Sequence, residues 1–278
     1  MTEPLVLGAV AYDPKVVTIW DGFRDWFAAH GFAFDTILYS NYESQVRGQF
    51  AGQCHVAWNS PLAWIESERL AAQTGRRAAA VAMRDSDRDL TSVVVAHRNA
   101  GIASLADLKG KRVAVGATDS PQATLIPLEL IAAAGLVPGK SFAVIHCNIG
   151  VGKHGDHIGG EREAARALLA GEADACCILD ANRLAFAREG TLPTASTVVV
   201  AQTEPFDHCT FTVLDGAPLD RVERFVALLL AMSYDDPAVR PLLEMEGLKQ
   251  WLPGRTSGYA ALNRAVDRTG FLDAFLAG

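Results

Sequence analysis

The chain has 278 residues, half of them hydrophobic and 21% charged, the balance of a globular rather than a disordered chain. Its 25 Lys and Arg against 32 Asp and Glu leave a net charge of −7 with no basic cluster, which argues against a nucleic-acid scaffold. No apolar run approaches the roughly 18 residues of a bilayer-spanning helix, so membrane insertion is not expected.

Strands and helices alternate from the start. Pro4–Val10 reads as a buried strand. Ile19, Phe23, Trp26 and Phe27 then recur at helical spacing. Phe32–Leu38 is a strand, Tyr42–Phe50 a helix stopped by Gly52, and Cys54–Trp58 a third strand. Ser60-Pro61 opens the next helix as cap and first turn. This order implies a parallel sheet with helices on its faces. Ala78–Met83 and Ser92–His97 read as longer strands flanking the polar turn 84–89.

Ser104 and Asp107 form a capping pair. Arg112–Val115 is a strand, 120–134 a helix, Phe142–His146 a strand, Glu161–Ala170 a helix and Ala173–Leu179 a strand. That makes a second β/α run with its own sheet. Thr197–Gln202 and Cys209–Leu214 are strand-like. Val222, Phe225, Val226, Leu229 and Leu230 mark a helix, and Trp251 and Leu262 are expected in later helices. The fold class is therefore α/β, with two lobes and a cleft between them, where small molecules commonly bind. Chain crossings near 90 and 203 divide it into 1–91 plus 204–278 as lobe 1 and 92–203 as lobe 2.

The opening MTEPLVLGAVAYDP has no basic region, long apolar stretch or small-residue cleavage site of an export signal. The cysteines Cys54, Cys147, Cys176, Cys177 and Cys209 are odd in number and fit reduced thiols. Both points favour a cytoplasmic location, with a periplasmic one as the alternative if a leader has been removed.

The densest local chemistry is GATDSPQAT, where a strand ends and a helix begins. Backbone N–H groups around Gln122 and Ala123, with the hydroxyls of Thr118, Ser120 and Thr124, can hold an oxyanion. Asp119 would oppose an anion unless it points away, and Ser-Pro is also an ordinary cap. Pro127 predicts a kink or a late helix start. Asn59 and Ser60 make a second helix start at a strand's carboxyl end, either ligand-facing or a cap. Tyr12 follows the first strand and can line a cleft, as can Trp58.

His154, Asp156 and His157 sit in a loop with five glycines, which lets backbone approach a ligand closely. Two histidines and one aspartate fall short of the usual zinc set, and no metal site is assigned. Asp180 ends a strand and either accepts ligand hydrogen bonds or caps a helix. Cys147 is a nucleophile only with a nearby base and a lowered pKa. Strand alternation points neighbouring His146 away, and His208 away from Cys209. No dinucleotide or phosphate-loop fingerprint occurs, so no cofactor is implied.

IASLADLKGKRVAVGATDSPQATLIPLELIAAAGL resembles a stretch of the phosphate/phosphonate-type ABC-transporter solute-binding proteins. NYESQVRGQFAGQCHVAWNSPLAWIESERLA, EAARALLAGEADACCILDANRLA and WLPGRTSGYAAL are similar to three further stretches, in order. The resemblance implies the type-II periplasmic-binding-protein fold, with two α/β lobes, two crossover strands and a ligand cleft. It also implies a phosphonate- or phosphate-like anion as ligand and, if the chain is exported, an ABC permease as partner. Within it Tyr42 matches a family tyrosine, and His157 stands where the family contacts the anion. Cytosolic enzymes share this fold, including thiaminase I, hydroxymethylpyrimidine phosphate synthase and chorismate dehydratase. The alternative expectation is such an enzyme, with His157, His154 and Cys147 catalytic. A ligand-responsive cytosolic sensor is a third.

Overall fold

The computed structural model describes residues 3–156 and 158–277. In chain order the elements are β1 (Leu5–Val10), α1 (Lys15–Ala29), β2 (Phe34–Tyr39), α2 (Tyr42–Phe50), β3 (Val56–Asn59), α3 (Pro61–Gln73) and β4 (Ala78–Arg84). Then come β5 (Ser92–His97), β6 (Arg112–Val115), α4 (Ile126–Ala133), β7 (Ala143–His146), α5 (Gly159–Leu169), β8 (Ala175–Leu179), α6 (Asp180–Arg188) and β9 (Thr197–Gln202). The last are β10 (Thr210–Leu214), α7 (Leu219–Ala231), α8 (Arg240–Glu246), β11 (Trp251–Pro253), α9 (Ala260–Thr269) and α10 (Asp273–Leu276). None of the described helices is long and apolar enough to cross a membrane.

The chain divides into two units. Unit 1 comprises Met1–Arg88, Asp207–Gly258 and Leu272–Gly278, and unit 2 comprises Asp89–Phe206 and Tyr259–Phe271. The expected lobes followed only two crossings, but the segment Tyr259–Phe271 clusters with unit 2. The reason lies in α9, which buries Ala261, Leu262, Ala265 and Val266. Its Arg268 also forms a two-pronged ion pair with the buried Glu129 of α4, at 2.5 and 2.9 Å.

Unit 1 holds a six-stranded sheet in the order β11-β4-β10-β3-β1-β2. Strands β1, β2 and β3 run parallel, as their βαβ links require, while β10 returns antiparallel between β3 and β4. Trp251 is the second departure from expectation. It lies in edge strand β11 rather than a helix, and is held by packing on Phe23, Trp58 and Phe211. Unit 2 holds a five-stranded sheet, β7-β6-β8-β5-β9, in which β7, β6 and β8 are parallel and β5 is antiparallel to both neighbours. Helix α5 covers it with Ala164, Ala165 and Leu168, which pack on Val93, Val95, Cys176 and Ile178.

The Pro127 expectation resolves into a wider turn. Pro121–Leu125 forms one π-type turn before α4, with the amides of both Thr124 and Leu125 bonding to the Ser120 carbonyl. Pro127 has no N–H to offer the Ala123 carbonyl, four residues back. That carbonyl instead accepts the Gly116 N–H at 3.1 Å, which pins the turn to the end of β6.

Candidate functional site

The parallel strands of each unit deliver the candidate residues to one edge. In unit 1, Tyr12, Tyr42 and Asn59-Ser60 follow or end β1, β2 and β3. In unit 2 the Ser120 turn, Cys147 and Asp180 follow β6, β7 and β8. Carboxyl edges of parallel strands are the ligand-binding side of open α/β sheets.

The unit 1 residues are largely used up by structure. Asn59 is fully buried, and its Oδ1 accepts the Gln45 amide at 2.7 Å while its Nδ2 donates to Ser67 at 3.1 Å. Ser60 caps α3 by accepting the Ala63 N–H. Tyr42 is buried against Val10, Val46 and Ala63, and Tyr12 packs on the aromatic core with Lys15 Nζ 5.8 Å from its ring. Trp58, read as a cleft candidate, is corrected to a core residue, 4% exposed and 4.5 Å from the Phe211 ring.

Unit 2 gathers the more chemical group. Ser120, Gln122, Ala123, Thr124 and His154 are all buried. Ser120 Oγ accepts the Ala123 N–H, Thr124 Oγ1 donates to the Ala117 carbonyl, and the Thr118 amide donates to Asn148 Oδ1. The glycine-rich loop closes on this turn, with Gln122 Nε2 donating to the Gly155 carbonyl at 2.8 Å. A side chain at Gly155 would collide with Ser120 Oγ and Gln122, and its φ of +81° suits glycine alone. At Gly160 a Cβ would meet the Cys147 carbonyl at 2.8 Å and the Ala117 amide at 3.1 Å, so glycine lets the start of α5 approach the end of β6.

Two carboxylates build this edge, and sequence reasoning gave neither that task. Asp119, 3% exposed, turns away from the helix start toward the loop, where its Oδ2 accepts the Gly152 N–H at 2.5 Å. The same oxygen faces the His154 amide at 3.4 Å, and His154 takes a φ of +48°. Glu161, also buried, accepts from the Leu179 amide and from Asn182 Nδ2, tying β8 and α6 to α5. Asp180, the expected acceptor, sits partly exposed and pairs with Arg183 at 3.1 Å. A pattern search for Glu161 would have needed its distant partners, since GGERE reads as an ordinary helix start.

For the catalytic expectation, burial pushes the half-buried Cys147 thiol up, opposite to what a nucleophile needs. His146, beside it, is lowered by burial. His157 lies outside the described residues.

No match was found among the curated proteins. Among solved structures the chain is similar to PhnD1 of Prochlorococcus marinus in complex with methylphosphonate. The TM-score is 0.69 at 17% identity, covering 96% of this chain and 98% of that one. It is similar to XAC2383 of Xanthomonas citri bound to ATP, with TM-score 0.68 at 15% identity over 99% and 98% of the two chains. The periplasmic aliphatic sulphonate-binding protein SsuA of Escherichia coli has TM-score 0.60 at 15% identity over 100% and 95%. At these identities the likeness is one of fold, the type-II periplasmic-binding-protein fold. The family model described as "ABC transporter, phosphonate, periplasmic substrate-binding protein" matches residues 9–259, so the chain belongs to the phosphonate ABC-transporter substrate-binding family.

Proposed function

We propose that the chain is the ligand receptor of an ABC importer and takes a small oxoanion of the phosphonate, phosphate or sulfonate class. The observation that carries this reading is the family match over residues 9–259, which spans segments of both units. Support comes from two of the neighbours, one in complex with methylphosphonate and one described as an aliphatic sulphonate-binding protein.

On this reading the anion-facing element of unit 2 is the Ser120–Thr124 turn. The Ala123 and Thr124 amides are bonded within the turn, and the Thr124 hydroxyl to the Ala117 carbonyl. The group offered to the anion is therefore the Ser120 hydroxyl, which accepts the Ala123 N–H and can still donate its own hydrogen. Asp119 fits the reading because it points into the loop and not along the helix start. The family resemblance gives the anion contact to His157, while Tyr42, buried against Val10, Val46 and Ala63, serves packing. The family description is periplasmic. The cytoplasmic expectation finds no support there, and the periplasm, with a membrane permease as partner, is the location proposed.

Thermal unfolding of the chain with methylphosphonate, phosphate, ethanesulfonate and, as a control, chloride tests the proposal. A ligand that binds only the folded state raises Tm with its concentration. At least one oxoanion should do so, and Ser120→Ala should weaken it by about 10–100-fold, the worth of a hydrogen bond to a charged group. No shift with any oxoanion beyond that with chloride would overturn the reading.

A further inference from the structure

Unit 1 contains a second cluster of chemistry-bearing side chains, unrelated to the oxoanion reading. Strand alternation predicts that His208 and Cys209 point apart. The structure brings them together because both precede the β10 ladder and are free of its pleat. The His208 amide donates to the Asp87 carbonyl at 2.7 Å, which turns the chain locally. His208 Nδ1 then lies 3.1 Å from Cys209 Sγ and 3.6 Å from Asp87 Oδ1. One ligand atom from each of the three residues lies within 4.8 Å of the others, and all three residues are buried.

A nitrogen, a sulfur and an oxygen at such separations nearly match three corners of a tetrahedron around one ion, for bonds of about 2.0–2.3 Å. Buried carboxylate ligands are held from behind by hydrogen bonds. Here Arg84 grips both oxygens of Asp87, Oδ2 at 2.6 Å and Oδ1 at 2.9 Å, and the same Oδ1 faces His208 Nδ1 at 3.6 Å. Arg84 is in turn neutralised by Glu246 at 3.2 Å. With that pair balanced, Asp87 and a Cys209 thiolate leave two negative charges, the complement of a divalent cation.

We propose that Asp87, His208 and Cys209 form a binding site for a borderline-soft divalent cation of the zinc class. The mixed oxygen, nitrogen and sulfur set selects against magnesium and calcium, which take oxygen alone. Three protein ligands satisfy three of the four positions of a tetrahedral ion, and the fourth would fall to water. Binding displaces the Cys209 proton, so uptake weakens as pH falls.

The test uses the full chain without a histidine tag, reduced, stripped of metal and titrated with zinc alone. Cobalt titration in parallel reports thiolate ligation by its charge-transfer absorption. One equivalent of zinc and a thiolate band are expected. Cys209→Ser and His208→Gln, checked for folding by circular dichroism, should each lose more affinity than the about 10–100-fold typical of an outer-shell change. Arg84→Lys should fall within that range. Uptake well below one equivalent, cobalt binding without the band, or unchanged affinity in whichever of the two ligand variants folds would overturn the proposal. None of these readouts depends on oxoanion binding.

Discussion

The two units reach the same kind of sheet with different cores. Unit 1 is aromatic: Trp20, Phe23, Phe27, Phe34, Trp58, Phe211, Phe225 and Trp251 pack on one another, with Trp58 and Phe211 centroids 4.5 Å apart. Unit 2 is built of small aliphatic and thiol side chains, with Ala114, Ala164, Ala165 and Ala173 beside Val93, Cys176 and Ile178. Large rings make one removal costly, because the space left cannot close. Small side chains let α5 sit close on its sheet, which brings its first turn to the end of β6. The units therefore stand to differ in how much a single core change costs.

The largest effect is expected for Phe211→Ala in unit 1. Its ring is fully buried, and the loss should be about 3–5 kcal/mol. Hydrogen exchange resolved by unit would read it, and a loss below about 1 kcal/mol would break the comparison. Asp207→Asn comes next. Asp207 is buried and pairs twice with Arg255 at 2.6 Å. Breaking a buried pair from one side costs about 3 kcal/mol here, the low end because Arg255 is partly exposed. Denaturant unfolding checks it, and recovery in the double variant Asp207→Asn, Arg255→Met would confirm that the stranded charge carries the cost.

The pH dependence follows from Asp87. Burial alone would raise its pKa, but Arg84 and His208 hold it down to about 2, below its ordinary 3.8. A depressed carboxylate contributes stability that is complete above its unfolded value and disappears as pH falls through the folded one. Unit 1 should therefore lose stability as pH falls from about 4 toward 2, and Asp87→Asn should flatten that loss in acid-unfolding profiles. In unit 2, Ile178→Val should cost only about 0.5–1.5 kcal/mol. Asn41→Ala, which removes the cap on the Ser44 amide at 2.8 Å, should cost about 1 kcal/mol in the same assay.

Local patterns made most of the elements legible. Tyr42–Phe50 reads as a helix stopped by Gly52, and the structure places α2 over those residues. Trp251 misled because a lone aromatic carries no period; only contacts with Phe23, Trp58 and Phe211 make it a strand residue. At the candidate site, the Ser120 turn was readable because cap, proline and preceding strand are contiguous in sequence. Glu161 and Asp119 were not, because their partners lie at Leu179, Asn182 and Gly152, which no local pattern connects to them. The meeting of His208 and Cys209 was hidden by applying strand alternation one residue before the strand begins.

Isothermal titration calorimetry of the reduced chain with methylphosphonate, phosphate and ethanesulfonate is the most direct measurement. Saturable, reversible heat at one site per chain for at least one of them, with the compound recovered chemically unchanged, is the predicted result. Absence of binding to all three, or conversion of the bound compound into a product, would contradict a receptor for small oxoanions.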